Sequence, residues 1–198
     1  MSLERALELA DAVPGRAYPN PTVGAVVVAD GEIVGEGVTE QHGGRHGEVV
    51  ALDEAGDRAR GATVFTTLEP CAHQGRTGPC VVALAEAGVT RVVVAIEDPD
   101  PHVAGKGIAQ LRDLGITVDV GVGAVAAARS LAPYLVHRRL GRAFTVVKTA
   151  MSLDGRIAAR DAAPVIHCDD TSRAAMRPSR LMAVLTTVKA RPARRCRR

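Results

Sequence analysis

The chain has 198 residues, 46% hydrophobic and 24% charged, a balance that is typical of a globular protein. No apolar run reaches the eighteen or so residues that a membrane-spanning helix needs, so we expect no membrane segment. The formal net charge of +3 includes five arginines after residue 190, and residues 1–190 alone carry −2. Because aromatic residues are also scarce, at 2%, we expect no nucleic-acid partner.

The N-terminus leads directly into an amphipathic pattern without the features of a signal peptide, and we predict a cytoplasmic protein. The four cysteines are too few and too unevenly spaced for a disulfide framework. In a reducing compartment, metal binding is the expected use of Cys71 and Cys80.

Periodicity predicts alternating helices and strands along the chain. Apolar residues at helical spacing predict a first helix over residues 2–13, which ends at Pro14. Asp30 and Gly31 predict a tight hairpin turn between the strands over 23–29 and 32–38. The further elements are a helix over 46–55, a strand over 62–68, a helix over 81–87, a strand over 91–96, a helix over 105–114 and a strand over 116–120.

This order of elements predicts an α/β fold, a three-layer α/β/α sandwich with a mixed sheet. We predict that residues 1–123 form this domain and that residues 124–141 form a connecting helix. We predict that residues 142–198 begin a second unit. Its periodicity of apolar residues weakens along the segment, which ends in an arginine-rich tail.

The loop between the strand over 62–68 and the following helix contains Cys71 and Cys80. Upstream, His46 and Glu48 lie two residues apart at a predicted helix start, so they point in different directions. Two thiolates and one imidazole leave one position of a tetrahedral zinc open to water, and a carboxylate that does not bind the metal can move protons. The pattern predicts a zinc site with His46, Cys71 and Cys80 as ligands and Glu48 as proton carrier. It matches the zinc-deaminase signature H-x-E and P-C-x-x-C, with eight residues between the cysteines instead of two.

Two other interpretations stay open at this point. His73 could join the three predicted ligands in a closed structural zinc site with no place for water, and Glu48 would then have no role. In the corresponding non-enzymatic hypothesis, the chain is a zinc-stabilised scaffold that binds a partner.

Four stretches carry a more specific signal, namely Asn20–Val26, His46–Glu48, Thr67–Cys80 and Asp98–Gly107. They resemble the bifunctional deaminase/reductase family of riboflavin biosynthesis, whose long step between the two cysteines distinguishes it from cytidine and tRNA adenosine deaminases. The resemblance covers residues 1 to 157. It implies a cytidine-deaminase-like fold and hydrolytic deamination of 2,5-diamino-6-(5-phosphoribosylamino)pyrimidin-4(3H)-one, a small phosphorylated aminopyrimidine, with release of ammonia.

The resemblance also implies roles for single residues. It gives Zn²⁺ the three ligands named above, makes Glu48 the proton shuttle, and places Asn20 against the pyrimidine. Arg76 would meet the ribose phosphate, which a guanidinium can grip with two hydrogen bonds. The family's substrate-facing histidine is Thr39 here, with His42 nearby. Thr39 and the incomplete second unit also suggest an alternative, a related deaminase of another base or nucleotide.

Residues 147–158 resemble the opening of the family's reductase domain, which has a dihydrofolate-reductase-like fold and uses NADPH. Only about fifty residues follow Gly141, too few to build that domain or to enclose a dinucleotide. We therefore expect a truncated reductase segment that binds no NADPH and has no reductase activity. Apolar residues of such a fragment need a cover, which a homo-oligomer or a separate partner would provide.

Overall fold

The computed structural model describes residues 2–144, and up to residue 123 it confirms the predicted order of helices and strands. The predicted reductase segment and basic tail lie outside the described residues from position 145 onward. The elements are α1 (Ser2–Ala12), β1 (Gly24–Ala29), β2 (Glu32–Val38), α2 (Gly47–Ala55), a 3-10 turn (Gly56–Ala59), β3 (Thr63–Thr66), α3 (Cys80–Glu86), β4 (Arg91–Val94), α4 (Lys106–Asp113), β5 (Thr117–Val120), α5 (Ala124–Ser130) and α6 (Ala132–Leu140).

The five strands form one mixed sheet in the order β2-β1-β3-β4-β5. β1 pairs antiparallel with β2 and β3, whereas β3, β4 and β5 are parallel. Asp30 and Gly31 both have positive φ, 52° and 81°, as the predicted tight hairpin turn requires. The carboxyl ends of β3 and β4 lie at one edge of the sheet, so the loops that follow them emerge side by side.

Helices cover both faces of the sheet, which confirms the three-layer prediction. One buried cluster contains Ala51 from α2, Leu84 from α3 and Leu111 from α4. The cluster on the other face contains Ala6 from α1 and Leu135 from α6. The central strands β1, β3 and β4 are therefore largely buried on both faces, as their apolar sequences require.

Residues 124–141, predicted as one connecting helix, contain the two helices α5 and α6 with a break at Leu131. Pro133 lies in the first turn of α6, where the missing N–H is not needed. Leu131 and Leu135 are buried in the same core as α1, so α6 packs against the sandwich. The proposed domain boundary at residue 123 stays a prediction. None of the helices within residues 2–144 is long and apolar enough to cross a membrane.

Helix α2 packs closely on β2 because two glycines of this strand face the helix. A Cβ added to Gly35 would lie 2.2 Å from the carbonyl oxygen of Ala51, and one added to Gly37 would lie 2.1 Å from that of Gly47. No side chain fits in these gaps, so the backbone of α2 rests directly on the strand. This contact fixes the start of α2, where the predicted site residues His46 and Glu48 lie.

Candidate active site

The three predicted metal ligands come together. The ligand atoms of His46, Cys71 and Cys80 all lie within 4.8 Å of one another. His46 Nδ1 is 3.1 Å from Cys80 Sγ and 3.5 Å from Cys71 Sγ, and the two sulfurs are 3.6 Å apart. Ligands bonded to a tetrahedral zinc are roughly 3.5–3.8 Å from one another, so the spacing and the donor types fit Zn²⁺.

Three different elements place these ligands. His46 immediately precedes α2, Cys71 lies in the loop after β3, and Cys80 is the first residue of α3. The backbone N–H of Cys80 donates to Cys71 Sγ at 3.4 Å. Pro79 directly precedes Cys80 at the start of α3, where the missing backbone N–H of a proline costs no hydrogen bond.

The two cysteines have opposite pKa shifts. Hydrogen bonds from Cys80 and His46 lower the pKa of Cys71 to about 4. The hydrogen bond to Cys71, together with burial, raises the pKa of Cys80. A cation bound by both sulfurs would require them as thiolates and would displace any proton held between them.

Glu48 lies in the first turn of α2 and is only 3% exposed. Its Oε2 is the one buried side-chain oxygen or nitrogen within residues 2–144 that has no hydrogen-bond partner. Burial raises the pKa of this carboxyl to about 7. An unpaired buried acceptor beside a metal-ligand cluster fits a group that exchanges protons with water or substrate.

His73 lies outside the ligand cluster found among residues 2–144. Its side chain is exposed and lines the adjacent cavity. The geometry therefore gives no support to the closed four-ligand site that the sequence left open.

A cavity of ≈ 260 Å³ adjoins the ligand cluster and is lined by all four predicted substrate-binding residues, Asn20, Thr39, His42 and Arg76. Three of them, Asn20, His42 and Arg76, are exposed. None of these three side chains makes a hydrogen bond or an ion pair with the rest of residues 2–144, so their polar groups can meet a ligand.

Thr39 differs from the other three because its side chain is buried, at 4% exposure. Its hydroxyl accepts the N–H of Val23 at 3.0 Å and donates to the carbonyl of Val23 at 3.2 Å. The hydroxyl proton is therefore donated to a backbone carbonyl and is not available to a ligand. Thr39 shapes the cavity wall and fixes the start of β1.

The cavity also has a wall that was not predicted from the sequence. Five residues of this wall carry polar side chains, namely Glu69, Asp98, Asp100, Tyr134 and Arg138. Glu69 and Asp98 lie within stretches that carried the family resemblance, but Tyr134 and Arg138 lie in the predicted connecting helix. Nothing in the spacing of that helix indicated that it reaches the site.

The comparison with known proteins agrees with the zinc-deaminase signature found in the sequence. Residues 1–96 match the family described as the cytidine and deoxycytidylate deaminase zinc-binding region. Riboflavin biosynthesis protein RibD of Synechocystis sp. is 50% identical over 160 residues, which are 81% of this chain and 44% of the relative. RibD of Escherichia coli is 47% identical over 156 residues, 79% of this chain and 42% of the relative. The chain thus spans less than half the length of these curated relatives.

Solved structures agree with the sequence relatives. One form of Acinetobacter baumannii RibD superposes with a TM-score of 0.74 at 44% identity, over 83% of this chain and 47% of that one. A diaminohydroxyphosphoribosylaminopyrimidine deaminase/5-amino-6-(5-phosphoribosylamino)uracil reductase from Thermotoga maritima gives a TM-score of 0.78 at 38% identity, over 89% and 52%. Residues 1–96 therefore match the zinc-binding region of cytidine and deoxycytidylate deaminases, and over about four fifths of its length the chain is similar to RibD proteins.

Proposed function

We propose that this chain catalyses the zinc-dependent hydrolytic deamination of 2,5-diamino-6-(5-phosphoribosylamino)pyrimidin-4(3H)-one. The observation that carries the proposal is the ligand cluster of one imidazole and two thiols beside the buried carboxyl of Glu48, whose Oε2 has no hydrogen-bond partner within residues 2–144. His46, Cys71 and Glu48 line a cavity large enough for a small molecule. The likeness to RibD proteins supports this substrate in particular.

In the proposed site, His46, Cys71 and Cys80 would hold the zinc ion. The ion would lower the pKa of water at the site from about 15.7 to about 7, which would supply a nucleophile at neutral pH. One imidazole and two thiolates also balance the charge of the ion. The protein groups around it can therefore control the remaining proton transfers.

Glu48 carries the protons in this proposal. It accepts one proton from the attacking water and passes it to a ring nitrogen, then takes the second proton from the added hydroxyl and passes it to the departing amine. The new C–O bond replaces the C–N bond, and the nitrogen leaves as ammonia. A pKa of about 7 lets the same carboxyl accept and donate a proton near neutral pH.

Arg76 and Asn20 would hold the substrate. The guanidinium of Arg76 lies on the exposed side of the cavity without an acidic partner among residues 2–144, which suits a phosphate dianion. Asn20 offers both a donor and an acceptor, as the edge of an aminopyrimidine requires.

The direct test is ammonia release by the purified, zinc-loaded chain. Turnover of the phosphorylated aminopyrimidine, without comparable turnover of cytosine, guanine or deoxycytidylate, supports the proposal. The reverse preference would assign the site to another base or nucleotide. Absence of turnover with all four compounds, at full zinc occupancy, would favour the scaffold hypothesis.

Exchange of Glu48 for Gln separates catalysis from metal binding. We expect turnover to fall by about 10²–10⁴-fold while the chain keeps its zinc, because the amide cannot carry protons. His73→Ala is the matched control, since it removes an imidazole from the same cavity outside the ligand cluster. It should leave the zinc content unchanged.

We also infer that this chain works as a cytoplasmic homo-oligomer. The resemblance to a reductase begins at residue 147, outside the described residues. Static light scattering would give the oligomeric state. NADPH oxidation with the deaminated product would reveal any reductase activity.

A further inference from the structure

Two side chains of α6, Tyr134 and Arg138, line the cavity together. They are four residues apart and thus lie on one face of the helix. The guanidinium carbon of Arg138 is 5.4 Å from the centre of the Tyr134 ring, a distance at which a cation and an aromatic face attract each other. The two residues therefore form one unit.

Tyr134 and Arg138 each contact one acidic residue of the cavity wall, through a hydrogen bond and an ion pair respectively. The Tyr134 hydroxyl donates to the carboxylate of Asp98, with its two oxygens at 2.8 and 3.0 Å. Arg138 Nη1 lies 3.1 Å from Asp100 Oδ2. The backbone N–H of Asp100 donates in turn to Asp98 Oδ1 at 2.9 Å, so all four residues form one connected network.

The network sets the charge of the cavity wall. Asp98 and Asp100 are only 5% and 8% exposed, so their carboxylates are poorly screened by solvent. Within residues 2–144, Arg138 is the one cationic side chain that forms an ion pair with Asp100. Without it, two neighbouring carboxylates would repel an anionic substrate.

We propose that Tyr134 and Arg138 are positioning residues of the deaminase site, with Arg138 offsetting the charge of Asp100 and Tyr134 fixing the orientation of Asp98. This inference rests on the proposed function, because it assumes a phosphorylated substrate. It makes α6 part of the active site, although its sequence looks like that of a connector.

The test is a double-mutant cycle on the full zinc-loaded chain. Arg138→Met keeps an apolar stem over the tyrosine ring but removes the charge. We expect KM for the phosphorylated aminopyrimidine to rise about tenfold, with kcat within about twofold, because binding loses a favourable potential while the reacting groups stay in place. Raising the salt concentration should reduce this effect.

The second variant of the cycle removes the acid. Asp100→Asn alone should not raise KM, and the double variant Asp100→Asn/Arg138→Met should return KM to within about threefold of wild type. A purely structural ion pair would lower the melting temperature without this rescue of KM. Tyr134→Phe, which keeps the ring, should raise KM by about threefold or more because Asp98 loses a donor.

Arg139→Met is the matched control, since Arg139 is exposed on the same helix and does not line the cavity. It should leave KM unchanged. The inference is overturned if Arg138→Met has wild-type KM, if Asp100→Asn does not rescue it, or if Arg139→Met has the same effect. Should Arg138→Met not fold, Arg138→Lys replaces it, and a tenfold rise in KM despite the retained charge overturns the inference. A wild-type chain without turnover would instead contradict the proposed function, and this inference would fall with it.

Discussion

The carboxylate of Glu69 accepts the backbone N–H of Asp98 at 3.0 Å and so joins the loop after β3 to the loop after β4. The same carboxylate accepts three more backbone N–H groups at the start of α4, from Gly105, Gly107 and Ile108, at 2.9–3.2 Å. Cys71 follows two residues after Glu69. One buried anion thus ties the metal-ligand loop to the cavity wall.

Replacement of Glu69 by Gln should therefore destabilise the chain. The amide keeps one acceptor oxygen, but its NH₂ group would face backbone donors and leave them unpaired. Each unpaired buried donor costs about 1–3 kcal/mol, so we expect the free energy of unfolding to fall by about 2–4 kcal/mol. Urea denaturation of the zinc-loaded chain measures this change.

Glu86→Gln is the control for this substitution. Glu86 is exposed on α3 and makes no side-chain hydrogen bond with the rest of residues 2–144, so its change should stay within about 0.5 kcal/mol of wild type. Equal stabilities of the two variants would show that Glu69 does not hold the loops together.

The ligand cluster was predictable from sequence because its residues form two short local motifs. Cys71 and Cys80 lie on either side of one loop, which ends where α3 begins, and His46 and Glu48 lie at one helix start. Only the approach of these two segments had to be assumed, and it follows from the packing of α2 on β2. The strands were predictable for a similar reason, since each is a short β-branched run between turn residues.

The opposite wall of the cavity was not predictable. Tyr134 and Arg138 meet acids that lie far away in the sequence, and an amphipathic pattern does not tell which partner the polar face of a helix will find. Glu69 gave no signal of its own, because a single acid beside an apolar run has no periodicity. Its role depends on four backbone donors that only the folded chain brings together.

A second prediction concerns pH and the zinc-free chain. Burial raises the pKa of Glu48 from 4.5 to about 7 on folding, so the folded state binds this proton more tightly than the unfolded state. The resulting stability is fully present below pH 4.5 and is lost as the pH rises through about 7. The linked change is roughly 3 kcal/mol.

Chelator-treated wild type and Glu48→Gln should accordingly diverge with pH in urea denaturation. The wild type should lose stability relative to the variant between pH 5 and pH 8, since the amide does not titrate. Parallel profiles would mean that Glu48 is solvated in the zinc-free chain.

The ligand cluster predicts how single substitutions change metal content. His46→Ala and Cys80→Ser should each lose most of the bound zinc, because two remaining ligands cannot hold the ion in a tetrahedral site. Plasma mass spectrometry of the dialysed protein gives the ratio of zinc to chain. Retention of a full equivalent by both variants would place the ion elsewhere.

The last prediction concerns the glycines beneath α2. Alanine usually stabilises a strand relative to glycine by about 0.5–1 kcal/mol. The Gly37→Ala substitution therefore destabilises the chain only if the added methyl group does not fit. A Cβ at Gly37 would lie 2.1 Å from the carbonyl oxygen of Gly47 and 2.5 Å from the amide nitrogen of Ala51, and neither backbone atom can move without the helix. We expect a loss of about 1–3 kcal/mol in the free energy of unfolding.

Because Gly47 lies between His46 and Glu48, displacement of α2 should also weaken zinc retention in Gly37→Ala. Gly78→Ala is the control, since a Cβ at Gly78 meets no atom within 4 Å. It should keep both stability and zinc. A Gly37→Ala variant that is as stable as wild type and retains its metal would show that α2 can move away from β2 without disturbing the ligands, and the close packing would then not be what positions the site.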